Sequence, residues 1–160
     1  MVTNKKVFLV DDCSFSVKLC VRCLSKNGFS NIHIFNSGKE LLNNLDGKPD
    51  IIFLDYQLND YTGKELLQKI KAFNPFILVV MISSQSSTDI NTDLLNSGAF
   101  DYIIKDDNFI DKITELSHKL VSIFSFLQNT PDPEVLKISE KEYVNSSLNA
   151  LKINSTKNLK

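Results

Sequence analysis

Several features that define other classes of protein are scarce in this sequence of 160 residues. It contains three cysteines, and an odd number without a secretory signal predicts free thiols, not a disulfide framework. Its formal net charge is -1 at pH 7, so the composition offers no basic surface for nucleic acid. We therefore expect neither a disulfide-stabilised fold nor a nucleic-acid partner.

Long apolar stretches are also missing. The longest apolar run, residues 76–82, is far too short to cross a bilayer. Residues 1–6 lead into a short apolar stretch that lacks the length and the small-residue cleavage site of a signal peptide. We expect a cytoplasmic protein with no membrane partner.

The length and composition favour one compact core. With 42% hydrophobic residues, the chain can bury a core of one domain but is short for two. After residue 127 the sequence becomes polar and contains two prolines. We predict a domain over residues 1–128 and a tail over 129–160, a short helix or disordered, with no effector domain.

Five apolar runs recur along the chain, at residues 7–10, 32–35, 51–54, 76–82 and 102–104. Several are continuously apolar, which is typical of strands buried on both faces of a parallel sheet. Segments with helical periodicity separate them. The sequence therefore predicts an α/β protein with a doubly wound, five-stranded parallel sheet and five helices.

The helix boundaries carry recognisable signals. Ser37 and Thr62 are each followed three residues later by glutamate, which is the spacing of a capping box. Gly28 and Gly98 lie where helices should end, and Pro75 separates the third helix from the fourth strand.

Cys20 and Cys23 form a C-x-x-C in the first predicted helix. With Val17, Val21 and Leu24 they are spaced as one apolar face. No second ligand pair accompanies them. The pattern favours packed thiols over a zinc or redox site.

Polar residues follow four of the five predicted strands. Asp11 and Asp12 follow the first, Asp55 the third, Ser83 the fourth and Lys105 the fifth. The carboxyl ends of parallel strands meet at one edge, where ligands of such sheets bind. We therefore predict one polar cluster there.

Three carboxylates in one cluster would repel one another without a cation, so a hard divalent ion is a natural partner, and Mg²⁺ fits best. A hydroxyl and an ammonium beside them suit phosphoryl transfer. Ser83 can hydrogen-bond one phosphoryl oxygen, and Lys105 can neutralise another. Asp55 is then the nucleophile, and an acyl phosphate is the expected product.

Each residue alone also has an ordinary structural interpretation. Asp11 and Asp12 can start a helix, Ser83 is a common residue after a strand, and Tyr102 alone is more typical of a core. We interpret His33 and His118 as structural. The joint occurrence of polar residues at four strand ends favours the site over these alternatives.

Four segments carry a resemblance to a known family: VFLVDD, IIFLDYQL, VVMISS and GAFDYIIK. They resemble the receiver domains of two-component response regulators, over about residues 5–127 and in the family's order. The likeness is to stand-alone receivers of the chemotaxis-regulator type. It implies a flavodoxin-like fold with strand order 2-1-3-4-5.

The resemblance also implies a role for each matched residue. Asp55 is the phosphoacceptor, Asp12 a direct magnesium ligand and Asp11 an acidic residue acting through water. Gln57 matches the position whose backbone carbonyl binds the metal. Ser83 matches the switch hydroxyl and Tyr102 the switch aromatic. Lys105 matches the lysine that is typical of the family.

Two positions depart from the family pattern. Asp106 follows Lys105 where the family has proline, so the cis peptide usual there is left open. The extra carboxylate is expected to weaken the attraction of Lys105 for phosphate. The loop over residues 56–61 lacks the common methionine-proline pair, although Gly63 is in place. We expect phosphorylation to survive and its lifetime to change.

The implied function is signal transduction. The expected phosphoryl donor is a histidine kinase or histidine phosphotransfer protein, and the expected output is contact with a downstream protein. We expect no enzymatic activity beyond the chain's own Mg²⁺-dependent phosphorylation and dephosphorylation. The alternatives are a phosphorelay intermediate, a pseudo-receiver adaptor that works without phosphorylation, and a magnesium-dependent phosphohydrolase.

A wide apolar stripe on the last predicted helix leaves a homodimer open. Packing on the core is the favoured interpretation of that stripe. Its main row consists of Phe109, Ile113, Leu116, Leu120, Ile123 and Leu127.

Overall fold

The computed structural model describes residues 3–85 and 87–128. Strands and helices alternate along this part of the chain. The strands are β1 (Thr3–Val10), β2 (Phe29–Phe35), β3 (Ile51–Asp55), β4 (Leu78–Ser83) and β5 (Asp101–Ile104). The helices are α1 (Ser14–Lys26), α2 (Gly38–Asn43), α3 (Gly63–Phe73), α4 (Thr88–Asn96) and α5 (Phe109–Gln128), with a 3₁₀ turn over Leu45–Gly47.

The chain divides into two units, Met1–His118 and Lys119–Lys160. The first contains the sheet, α1 to α4 and the start of α5. Of the second, residues 119–128 are described and complete α5. The predicted tail, residues 129–160, lies outside the described residues. Within the part of the chain that the structure describes, no helix is long and apolar enough to span a membrane.

The five strands form one sheet in the order β2-β1-β3-β4-β5, and each pairs in parallel with its neighbours. The predicted fold and strand order are confirmed. All five residues of β3 are buried, which explains why residues 51–54 form a continuous apolar run in the sequence. Helices must cover both faces of such a sheet.

Helix boundaries follow the predicted signals. Thr62 and Glu65 form a complete capping box at the start of α3. At α2 the box is partial: the Ser37 side chain accepts from the Glu40 N–H, but the Glu40 carboxylate accepts from the Asn36 N–H. Gly28 has a φ of 96°, a left-handed conformation that glycine adopts without strain.

Strand β4 starts later than predicted, at Leu78 and not at residue 76. The Phe76 N–H donates to the side chain of Asn74 at 3.0 Å, in a turn that contains Pro75. Because of this turn, strand β4 begins only at Leu78, and Phe76 is exposed. Strand β2 begins three residues before the predicted run, at Phe29.

The cysteines are free thiols, as predicted, with Cys20 and Cys23 buried in α1. Burial raises the pKa of Cys20 to about 12. At neutral pH it is a protonated thiol, which is a poor metal ligand and nucleophile. The burial of Cys20 and Cys23 therefore agrees with packed thiols. Val17 and Val21, which belong to the same predicted apolar face, are only half-buried.

Candidate functional site

The register of the sheet brings the predicted site residues to one edge. Val10 pairs with Leu54, and Asp55 pairs with Ile82. Ser83 pairs with Ile104, and the Lys105 N–H extends this ladder by donating to the Ser83 carbonyl at 2.7 Å. Because the strands run in parallel, the residues that end them meet at the carboxyl edge.

Lys105 joins two carboxylates at the centre of the site. Its Nζ donates to Asp11 Oδ2 at 2.9 Å and to Asp55 Oδ1 at 2.8 Å. Asp11 is 1% exposed and Asp55 is 6% exposed. The single ammonium of Lys105 therefore donates hydrogen bonds to two carboxylates that have little contact with water.

The site carries more negative than positive charge. Burial raises the pKa of Asp55, and the charges of Asp11 and Asp12 add to this effect, while Lys105 opposes it. Burial alone would lower the pKa of Lys105, but its hydrogen bonds to Asp55 and Asp11 outweigh that and raise it. In its ionised form, Asp55 is therefore only partly compensated by Lys105.

This partial compensation predicts that Asp55→Asn stabilises the fold without metal. A carboxyl whose pKa is raised by folding contributes stability at low pH, and that contribution is lost as the pH rises through the raised pKa. At pH 7 the neutral amide is expected to increase the free energy of unfolding by about 0.5–2 kcal/mol, as when strain at a functional site is relieved.

Urea unfolding between pH 3 and pH 8 tests this prediction. The difference between Asp55→Asn and wild type is expected to vanish below the ordinary aspartate pKa. The control is Asp46→Asn at an exposed aspartate, which is expected to change the free energy of unfolding by less than about 0.5 kcal/mol at any pH. A destabilised Asp55→Asn at pH 7 would contradict the electrostatic interpretation.

The donor set fits a hard divalent cation. One carboxylate oxygen from each of Asp11, Asp12 and Asp55 lies within 4.8 Å of the others. Three carboxylates around one ammonium leave charge that a divalent ion would neutralise. Oxygen ligands with room for water suit Mg²⁺.

Gln57 lies in the loop between β3 and α3. It forms an antiparallel bridge with Thr62, which closes the loop on itself. The Gly63 N–H donates to the Tyr56 carbonyl at 2.7 Å. These two contacts connect the backbone directly after Asp55 to the start of α3.

Ser83 and Tyr102, the predicted switch residues, both contact Gln85. The Gln85 N–H donates to Ser83 Oγ at 3.0 Å, and the Tyr102 hydroxyl donates to the Gln85 carbonyl at 2.7 Å. Ser83 is buried, and Tyr102 is partly buried against the core. Gln85 thus links the two residues, a connection that the sequence did not reveal.

Asp106 has its own partners. Its carboxylate accepts from Lys112 Nζ at 2.6 Å and from the Asn108 N–H at 3.0 Å. The hydrogen bond from Lys112 keeps the pKa of Asp106 below its usual range. Asp106 therefore pairs with Lys112, whereas the carboxylates that contact Lys105 are Asp55 and Asp11. The peptide between Lys105 and Asp106 is trans.

Two residues of the same loop were missed by the sequence analysis. Asn59 Nδ2 donates to Asp12 Oδ2 at 2.7 Å. The Asp60 carboxylate accepts from the Gly38 and Lys39 N–H groups at 2.9 and 2.8 Å, across to the start of α2. The only sequence signal was that this loop departs from the family pattern.

The sheet order and the acidic carboxyl edge define a doubly wound α/β protein of the flavodoxin-like class. A family model, the response regulator receiver domain, matches residues 7–116. This chain belongs to that family, whose members act in two-component systems.

Relatives and solved structures agree with this assignment. The transcriptional regulatory protein ZraR of Escherichia coli K12 is 29% identical over 129 residues, which cover 80% of this chain and 29% of ZraR. A CheY-like receiver domain from Methanospirillum hungatei is 26% identical with a TM-score of 0.65, covering 75% of this chain and 96% of that one.

The BeF3-activated receiver domain of DrrB is 27% identical with a TM-score of 0.64, covering 78% of this chain and 97% of that one. DrrB is a Thermotoga maritima protein. The present chain spans less than a third of the length of the curated relatives that it matches. The likeness to those relatives therefore concerns their receiver domains.

Proposed function

We propose that this receiver accepts a phosphoryl group on Asp55 from a phosphohistidine of a histidine kinase or histidine phosphotransfer protein. The observation that carries the proposal is the position of Asp55, which is buried at the acidic edge with its Oδ1 2.8 Å from Lys105 Nζ. A carboxylate held in place by an ammonium suits a nucleophile that must present one oxygen to phosphorus.

The transfer forms one bond and breaks one. A carboxylate oxygen of Asp55 attacks phosphorus, and the bond between phosphorus and the imidazole nitrogen of the donor breaks. The electron pair leaves with the imidazole, which takes a proton from water, and the product is an acyl phosphate. Lys105, already beside Asp55, neutralises charge on the phosphoryl oxygens.

Asp11, Asp12, Asp55 and the Gln57 carbonyl would hold Mg²⁺. When bound, this ion supplies positive charge that offsets the carboxylates and the phosphoryl oxygens. The Asp11 carboxylate accepts from Lys105 Nζ at 2.9 Å and from the Cys13 N–H at 2.8 Å. These contacts orient Asp11 in the turn between β1 and α1.

The output is a change of surface between β4 and β5. Ser83 Oγ accepts from the Gln85 N–H, while its own O–H can donate to a phosphoryl oxygen. Movement of Ser83 towards the phosphoryl group would therefore also move Gln85. Tyr102 holds the carbonyl of the same residue, so its position shifts with that of Gln85. Phosphorylation thereby shifts the population between two surfaces that a downstream protein distinguishes.

Intact mass after incubation with acetyl phosphate and Mg²⁺ tests the chemistry. Wild type is expected to gain one phosphoryl group, and Asp55→Ala or the omission of metal is expected to abolish the adduct. If wild type gains no adduct and beryllofluoride does not bind, the alternative of a phosphorylation-independent adaptor replaces this proposal.

A further inference from the structure

The loop between β3 and α3 reaches back to the metal site through Asn59. Its Nδ2 donates to Asp12 Oδ2 at 2.7 Å, across 47 positions of sequence. Both side chains are exposed to solvent, so without this bond the Asp12 carboxylate would be free to rotate. Hydrogen bonds to a ligating carboxylate commonly orient it for the metal.

The bond coexists with the closed arrangement of the acidic cluster. While Asp12 accepts from Asn59, one of its oxygens still lies within 4.8 Å of carboxylate oxygens of Asp11 and Asp55. The hydrogen bond from Asn59 is therefore compatible with a position of Asp12 in the cluster. An amide is well suited to this contact, because it donates a hydrogen bond without adding a fourth negative charge.

The backbone on both sides of Asn59 is held by contacts with other parts of the chain. The neighbouring Asp60 accepts two N–H groups at the start of α2, from Gly38 and Lys39. On the other side, the bridge between Gln57 and Thr62 closes the loop. With the backbone anchored on both sides, the amide of Asn59 needs little further ordering to reach Asp12.

We propose that Asn59 is a positioning residue for the divalent cation: it orients the Asp12 carboxylate and so raises the affinity for Mg²⁺. The proposal rests on the proposed function, because it assumes that Asp12 ligates the ion. Asn59 acts through Asp12 and has no role of its own in phosphoryl transfer. Its hydrogen bond leaves Asp12 one oxygen without this contact, which suits the single-oxygen ligation that Mg²⁺ favours.

Isothermal titration calorimetry with Mg²⁺ on the whole chain tests the proposal. Asn59→Ala is expected to weaken binding about tenfold, at the low end of the range for groups that orient metal ligands. The matched control is Asn43→Ala, the same change at an exposed position at the end of α2. It is expected to leave the affinity unchanged.

The Mg²⁺ dependence of phosphorylation by acetyl phosphate separates positioning from structural damage. In Asn59→Ala the half-saturating Mg²⁺ concentration is expected to rise about tenfold, while the plateau rate at saturating Mg²⁺ is retained. An unchanged half-saturating concentration, or a fall in the plateau alone, overturns the positioning role. If wild type binds no Mg²⁺, the proposed function itself fails, which is a distinguishable result.

Discussion

Lys105→Met is expected to lower the free energy of unfolding of the magnesium-free protein by about 3 kcal/mol, the low end of the range for breaking a buried ion pair. The substitution leaves Asp11 and Asp55 in the buried site without the ammonium that contacts both. Added Mg²⁺ is expected to restore part of the loss, because it replaces the missing positive charge.

The pH dependence of this loss follows from Asp55. Burial already raises the pKa of Asp55, and Lys105 is the group that opposes this shift. Without Lys105, protonation of Asp55 relieves the repulsion. The difference between Lys105→Met and wild type is therefore expected to be largest at pH 7 and to shrink as the pH falls towards about 4.

Lys112→Met is the matched control, because Lys112 also pairs with an aspartate, Asp106, but at an exposed position. Its expected effect is much smaller than that of Lys105→Met, as for other surface pairs. Urea unfolding of both variants, with and without Mg²⁺, measures the contrast. Equal effects of the two substitutions would show that the Lys105 cluster contributes no more than a surface pair.

Gly63→Ala is expected to destabilise the fold by about 2–3 kcal/mol, the upper part of the range for overpacking, and to slow phosphorylation. A Cβ at this position would lie 2.6 Å from the Met81 side chain and 2.7 Å from the backbone Cα of Tyr56. No side-chain rotation relieves a contact with backbone, so either the start of α3 or the backbone beside Asp55 must shift, and we expect Asp55 to be displaced.

Gly47→Ala provides the comparison, because its Cβ would meet only the tip of the Phe8 ring, at 3.2 Å. A shift of a few tenths of an ångström relieves that contact, and the expected cost is at most about 1 kcal/mol. Thermal unfolding and the phosphorylation rate with acetyl phosphate measure both variants. If Gly63→Ala phosphorylates at the rate of wild type, the close approach of α3 to Tyr56 does not position Asp55.

The fold was largely predictable because its signals are local. Continuous apolar runs marked strands that are buried on both faces, and the capping box at Thr62 marked the start of α3. The strand order could not be predicted from local signals, because periodicity does not specify which parallel strands pair. It was predicted from the resemblance to receiver domains.

The main site residues were predictable for a similar reason. Asp55 ends β3 and Lys105 directly follows β5. Because parallel strands end at one edge, the proximity of these two residues follows from the fold. The contacts of Asn59 and Asp60 were not predictable, because they depend on the path of a loop. The compensation of Asp106 by Lys112 likewise needs the first turn of α5 in three dimensions.

Asp55 is the residue on which the proposed receiver chemistry depends most. Borohydride reduction of the phosphorylated protein converts an acyl phosphate of aspartate to homoserine, which peptide mass spectrometry locates. We predict homoserine at Asp55 alone, in a reaction that requires Mg²⁺. Homoserine at Asp11 or Asp12, or a borohydride-resistant phosphate on Ser83, would contradict the assignment of Asp55 as the nucleophile.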